Sequence, residues 1–414
     1  MTNAFTWLFL VVLAAASLTR LWLARRQIGY VRAHRGAVPQ TFAAAIPLEA
    51  HQKAADYTVA KARLGMIDIL VGAAITLGLT LGGFIQWSSD LWARWMRPDG
   101  LLHGSALILT VLFAQGLIGL PLGLYRTFVI EERFGFNRMT LRLFLLDLVK
   151  QVLVGLALGV PLLVVVLWLM QRAGSYWWLY GWLIVAGYSL VLHMIIPSFV
   201  MPLFNKFSPL EDATLAERVE RLLRRCGFRS RGLYVMDGSK RSSHGNAFFT
   251  GFGASKRIVL FDTLVSRLAP DEIEAVLAHE LGHYKLHHIV KGMALSWALA
   301  LAMLAALGAL IREPWFYDGL GARTHTDAVA LVLFMIVLPE FLYFFQPLTA
   351  LFSRRHEFQA DGYATLHASA ASLVQALVKL YKDNASTLTP DPLHSAFYDS
   401  HPPAAARIAR LRAP

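Results

Sequence analysis

Long apolar runs separated by charged loops recur along this chain, and the pattern lapses between residues 205 and 291 and again after residue 352. Runs near 5–22, 66–87, 101–124, 143–170, 177–202, 293–311 and 328–352 approach the ~20 apolar residues that carry a helix across a bilayer, so about seven spans are predicted. Asp147 and Lys150 lie near the start of the fourth, and Pro339-Glu340 interrupts the last. The first run ends on Ala14-Ala15-Ala16-Ser17, as a cleaved leader would, but no cation precedes it. Arg20, Arg25, Arg26, Arg32 and Arg35 follow it instead, which predicts an uncleaved span whose C-terminal side is cytosolic. Counting on from there, the loop holding Arg126, Arg133, Arg138 and Arg142 falls in the cytosol, as does the polar segment 205–291. The loops near Gly174 and at 312–326 fall outside. Arg94 and Arg97 also fall outside, against the positive-inside rule, although Asp90 and Asp99 stand beside them. An odd span count leaves the N-terminus outside and the C-terminus in the cytosol.

The polar segment has its own periodicities. Residues 215–226 read as an amphipathic helix with Val219, Leu222 and Leu223 on one side. Residues 232–236, 246–252 and 257–261 read as strands, the last two joined by a turn through Gly253, Ala254 and Ser255. A helix follows, with Pro270 at its first position and Asp271 and Glu272 near the positive end of its dipole. Ile273, Val276, Leu277 and Leu281 supply its apolar stripe. An edge strand in such a small sheet can hold an extended peptide by backbone hydrogen bonds, or it can simply support the helix.

Composition agrees with a polytopic membrane protein: 56% of the residues are hydrophobic. The net charge of +12 is spread over loops that flank spans rather than gathered on one soluble face, so it sets topology and contact with anionic lipid and does not indicate nucleic-acid binding. The single cysteine, Cys226, excludes internal disulfides and a cysteine-based zinc site.

The chemistry lies in the segment's last helix. His279 and His283 are four residues apart, hence on one helical face, with Glu280 beside the first. Two imidazoles so placed can share a zinc ion that keeps one position open for water, and the carboxylate can take that water's proton. A third protein ligand is expected. Downstream, Glu357 and Asp361 are also four apart. A natural division puts Glu357 on the metal and Asp361 on the far nitrogen of a ligand histidine. His287 lies nearer, but on a straight helix it has rotated about 80° from His279 and risen two turns. His287 and His288 are therefore taken as supporting or interface residues. Glu340, inside a span, is taken as paired or facing a cavity. Glu272, Glu274, Lys285, His287 and His288 make the motif helix too polar for lipid, which disfavours cleavage within the membrane. A transporter or lipid-binding scaffold would suit the spans and charge but leaves the motifs unexplained.

Several ordered motifs accompany this helix. They are Glu132-Arg133-Phe134-Gly135-Phe136-Asn137, Pro202-Leu203-Phe204-Asn205-Lys206-Phe207, and Ser242-Ser243-His244-Gly245-Asn246-Ala247-Phe248-Phe249. Further on come Glu357-Phe358-Gln359-Ala360-Asp361 and Ser400-His401-Pro402-Pro403. In these the chain resembles the type-I CAAX prenyl proteases, integral-membrane zinc metalloproteases of the gluzincin class. The resemblance implies a mainly α polytopic membrane protein with about seven transmembrane helices around a chamber, and a small α+β cytosolic zinc-protease domain. Hydropathy alone fits a packed bundle equally well. The implied division is a five-span region at 1–205, a catalytic segment at 206–291, two spans at 292–352 and a C-terminal segment at 353–414. Carried over by motif, His279, His283 and Glu357 are the ligands of one Zn2+, Glu280 is the general base, and Asp361 supports a ligand histidine. His401 and Arg407 lie near the scissile carbonyl. Asn246, Ala247 and Phe248 pair with the substrate backbone. The implied partners are the bilayer and a peptide or protein substrate, prenylated or otherwise membrane-associated. Membrane-protein quality control without a prenyl requirement is the alternative.

Overall fold

In the computed structural model, residues 2–228, 232–250 and 257–413 are described. The first part of the chain runs through α1 (Ala4–Ala33), α2 (Leu48–Leu79), a short α3 (Phe84–Ala93), α4 (Leu101–Tyr125), α5 (Leu141–Arg172), α6 (Trp177–Ile195) and a single turn, α7 (Met201–Phe204). The soluble segment holds β1 (Phe207–Pro209), α8 (Ala213–Arg225), β2 (Leu233–Met236), β3 (Ala247–Thr250), β4 (Arg257–Phe261), α9 (Asp262–Val265) and α10 (Pro270–Lys285). After it come α11 (His288–Leu310), α12 (Pro314–Gly319), α13 (Asp327–Leu342), α14 (Gln346–His367), α15 (Ala370–Asp383), α16 (Pro392–Tyr398) and α17 (Ala404–Arg412). Among the described residues, seven helical stretches are long and apolar enough to cross a membrane. Two of them pass through π-helical turns, Arg126–Glu131 below α4 and Ile196–Val200 below α6, and the latter accommodates Pro197 inside the stretch.

The second span departs from its prediction at 66–87. Its helix begins at Leu48, because an amphipathic stretch before the apolar run buries His51, Ala54, Ala55, Tyr57 and Val59. It stops at Leu79, and Gly83, at φ +80°, turns the chain into α3. Only glycine takes that conformation without strain. The last span also differs in detail. Its helix passes through Pro339 and changes course at a 3-10 turn, Tyr343–Phe345, before α14 begins. Glu340 is paired with Arg20 at 2.7 Å.

The spans pack unevenly. Phe9, Leu13, Leu107, Val111, Leu167, Phe316, Leu333 and Val337 belong to one buried cluster at the end where α1 begins. Large apolar side chains are exposed on the outer surface at both ends, among them Trp7, Val11 and Leu102 at this one and Leu153, Met194 and Phe199 at the other. Between the spans there, Arg20, Asp68, Gln115, Glu340 and Tyr343 border a cavity of about 690 Å³.

The sheet has the order β1-β2-β4-β3. β2 and β4 run parallel; β1–β2 and β3–β4 are antiparallel, with Ala247 opposite Leu260 and Phe248 opposite Val259. β3 is thus an edge strand. β1 has only three residues and ends in proline, so no alternating pattern announces it. The expected strand at 246–252 is seen as β3, while Gly251, Phe252 and the turn at Gly253, Ala254 and Ser255 lie outside the described residues. Leu215, Val219, Leu222 and Leu223 of α8 pack with Ile258 and Leu260 of β4 and with Ile273, Leu277 and Leu281 of α10. This core seats the motif helix on the sheet.

Candidate metal centre

Local sequence makes α10 a firm platform. Pro270 opens it, and the backbone N–H of Ala269 donates to Glu272 Oε2 at 2.7 Å. Lys379 binds the same carboxylate at 2.7 Å, tying α10 to α15. α14 then crosses α10 at close range. A Cβ on Gly282 would lie 2.9 Å from the Cα of Ala360, so only glycine allows the backbones to approach this far. Glu357 and Asp361 are carried to the histidine face by this crossing, and both are buried.

The four side chains converge. His279 Nε2 and His283 Nε2 face each other at 3.2 Å. Glu357 Oε2 is 3.4 Å from the first ring, and its Oε1 is 3.2 Å from the second. These separations match the ~3.3 Å edge of a tetrahedron built on ~2.0 Å metal–nitrogen bonds. Glu357 Oε2 is also buried without a hydrogen-bond partner among the described residues, an acceptor arrangement suited to a cation. The donor set therefore fits a metal ion such as zinc.

Behind the rings, His279 Nδ1 lies 2.9 Å from Asp361 Oδ1. Arg407 grips Asp361 with both arms, Nε at 2.9 Å and Nη2 at 2.6 Å, and its Nη1 is 3.5 Å from Glu357. Burial opposes a charge on His279, but its hydrogen bonds to Asp361 and Glu357 outweigh burial and raise its pKa to about 9. Burial pushes the carboxyl of Glu280 above the usual carboxylate range, partly offset by the two neighbouring imidazoles. Glu280 lines a cleft of about 340 Å³ with Asn246, Ala247, Tyr381, His401 and Arg407, so the edge strand and the motif helix form two walls of one space. Leu373, Leu377 and Leu380 make its floor apolar. His401 sits at the mouth, its ring largely exposed and its Nε2 3.4 Å from Glu357 Oε1.

His279, Glu280, His283, Asn246, Ala247, Glu357, Asp361, His401 and Arg407 line or adjoin this site, whereas Phe248 borders pockets on the side of β3 facing α6. His287 leaves the helix: it adopts φ +58° between α10 and α11, and its side chain borders the same apolar pocket as Phe248. Two contributors were not foreseen. Gly282, inside the motif, permits the helix crossing; a small residue between two ligand candidates was the available signal. Arg354 donates to the carbonyls of Ser395, Ala396 and Asp399 at 3.2, 3.2 and 2.9 Å and so fixes the turn that carries His401. Its position one helical turn before Glu357 was the only hint.

Comparison with known proteins places this arrangement. Residues 27–206 match the family described as CAAX prenyl protease N-terminal, five membrane helices, and residues 209–414 match peptidase family M48. CAAX prenyl protease 1 of Saccharomyces cerevisiae is 40% identical over 71% of this chain and 69% of its own length. The CAAX prenyl protease 1 homolog of Arabidopsis thaliana is 34% identical over 91% of this chain and 90% of its own. The crystal structure of S. mikatae Ste24p superposes with a TM-score of 0.91 at 32% identity, covering 99% of both chains. The chain belongs to the CAAX prenyl protease family of M48 metallopeptidases.

Proposed function

We propose that the chain cleaves extended peptides near their C-terminus at the cytosolic membrane face, holding one zinc ion on His279, His283 and Glu357. The observation that carries this reading is the convergence of those three groups beside a cleft walled by Glu280 and an edge strand. Bound there, zinc supplies Lewis acidity to the scissile carbonyl and to water. Glu280 takes a proton from the attacking water and passes it to the leaving amine. Ser400 Oγ lies 3.0 Å from His401 Nδ1. A hydroxyl donating there leaves the proton on Nε2, which points toward the site and donates to the developing oxyanion. Arg407 holds Asp361, and through it His279, while lining the same cleft. Asn246 and Ala247 align the substrate backbone along β3, with Phe248 at the outer face.

Orientation is supported by charge. Arg26 pairs with Asp391 at 2.9 Å, so the arginine-rich end of α1 lies with the C-terminal segment and the site. The positive-inside rule then puts the site in the cytosol. The cavity between the spans at this end favours a chamber that admits a membrane-tethered substrate, prenylated or otherwise.

The test is peptide cleavage by Glu280→Gln protein. Turnover should fall by about 10²–10⁴-fold with zinc retained; wild-type turnover would refute the base. Comparing a farnesylated peptide with its unmodified twin decides the lipid requirement, since equal cleavage of both removes it.

A further inference from the structure

The two histidines that face Glu357 are supported from behind in different ways. His279 leans on a carboxylate, Asp361, which Arg407 neutralises. Among the described residues, no acid is paired with the Nδ1 side of His283. Its Nδ1 lies 3.1 Å from Nδ1 of His288, and Nε2 of His288 lies 2.9 Å from Oε1 of Gln359. His288 is buried, and its ring stacks flat on His356, centroids 3.9 Å apart at 5°. Phe352 meets the His356 ring edge-on.

The proton positions follow from donor and acceptor roles. An amide oxygen only accepts, so His288 Nε2 carries the hydrogen and donates to Gln359. A neutral ring with its hydrogen there has a lone pair on Nδ1. Only one hydrogen fits between two facing ring nitrogens, so His283 Nδ1–H donates to His288. The lone pair of His283 is thereby left on Nε2, the atom that faces Glu357 and His279.

The backbone explains how a residue beyond the helix reaches back to the site. Helix α10 ends at Lys285, and His287 takes the left-handed conformation at φ +58°. This reverses the chain so that His288 begins α11, the sixth span, with its ring directed at His283. A straight continuation would have carried it away.

We propose that His288 is a positioning residue for the metal centre: with Gln359 it fixes the tautomer and orientation of His283 through a hydrogen-bond chain of neutral groups. It does not touch substrate. The inference rests on the reading of His283 as a metal ligand. It also ties one ligand to the first residue of a membrane helix and to α14, so the centre is braced by the sixth and seventh spans together.

The experiment measures how readily zinc is lost from the full-length zinc-loaded protein to a competing chelator, for wild type and four variants. His288→Leu removes the acceptor and should weaken zinc binding by roughly 10–100-fold, the usual cost of losing a partner behind a ligand. His288→Asn places an amide oxygen where Nδ1 stands and should stay within about threefold of wild type. Gln359→Leu should weaken binding by less than His288→Leu, and Gln359→Glu, which still accepts, should match wild type. Wild-type affinity in His288→Leu would overturn the proposal, as would an equal loss in His288→Asn, because the ring would then act only by filling space. If the His288 variants do not fold, the Gln359 pair decides: equal affinities there overturn the chain. Wild-type protein that takes up no zinc would instead refute the metal reading, and this inference with it.

Discussion

The two ends of the span bundle are held by different forces. At the end where α1 begins, buried aromatic and aliphatic side chains of α1, α4, α5 and α13 form a continuous apolar core. At the site end a cavity of about 690 Å³ opens between the spans, and polar ties take over. Arg241 binds Asp147 of α5 in bidentate fashion at 2.8 and 3.0 Å and reaches Asn205 at 3.0 Å. Tyr57 of α2 donates to Glu131 at 2.6 Å, and His244, stacked on Phe136, lies 3.6 Å from the same carboxylate. His244 Nδ1 and the N–H of Gly245 both meet Asn384 Oδ1 at 3.2 Å, just before the edge strand. Dense packing excludes water and substrate; directional ties hold helices at a distance while leaving space between them. A hydrolytic site that must admit a peptide needs the second kind of support.

This contrast can be broken at either end. Asp147→Ala leaves the Arg241 guanidinium without its counter-charge and should cost about 3–5 kcal/mol. Thermal melting should fall and peptide cleavage with it, since the same loop leads into β3. Leu107→Ala opens a cavity in the opposite core and should cost about 2–5 kcal/mol. Its melting temperature should fall while kcat/KM below the transition stays at the wild-type value. Equal losses of kcat/KM in both variants would remove the distinction. Gly282→Ala sharpens it from the site itself. The new Cβ pushes α10 away from α14, and a misplacement approaching 1 Å should cut turnover by about 10²-fold. Unchanged kinetics would show that the close crossing is not required.

Taken per pH unit, the smallest expected effect is on the pH dependence of zinc binding. In the metal-free protein His279 holds a proton with a pKa of about 9, raised by Asp361 and Glu357. Zinc must displace that proton at any lower pH. Affinity should therefore weaken by about tenfold for each unit of acidification below that value. Chelator competition between about pH 6 and pH 9 checks this, and an affinity independent of pH would contradict it.

Sequence periodicity located most elements because it reports which faces meet an apolar environment. It found α8, α10 and the third to sixth spans closely, although α1 runs on to Ala33 beyond its predicted end at 22, and the four-residue spacings of His279 with His283 and of Glu357 with Asp361 announced two polar helical faces. It did not reveal where the second span begins, because residues 48–65 continue the helix as an amphipathic stretch outside the apolar run. It also says nothing about partners. That α14 meets α10 across two intervening spans depends on the missing side chain of Gly282. The contact of His288 with His283 depends on one left-handed residue, His287, which no periodicity marks. The alternation of long-range polar ties at the site end is likewise invisible locally: Arg241 and Asp147 are 94 residues apart.

The account stands most directly on the identity of the third ligand. The decisive measurement is zinc content per chain in purified wild-type, Glu280→Gln and Glu357→Ala protein. Wild type and Glu280→Gln should each carry one equivalent, and Glu357→Ala should carry almost none. A full equivalent in Glu357→Ala, or none in wild type, would contradict the centre described above.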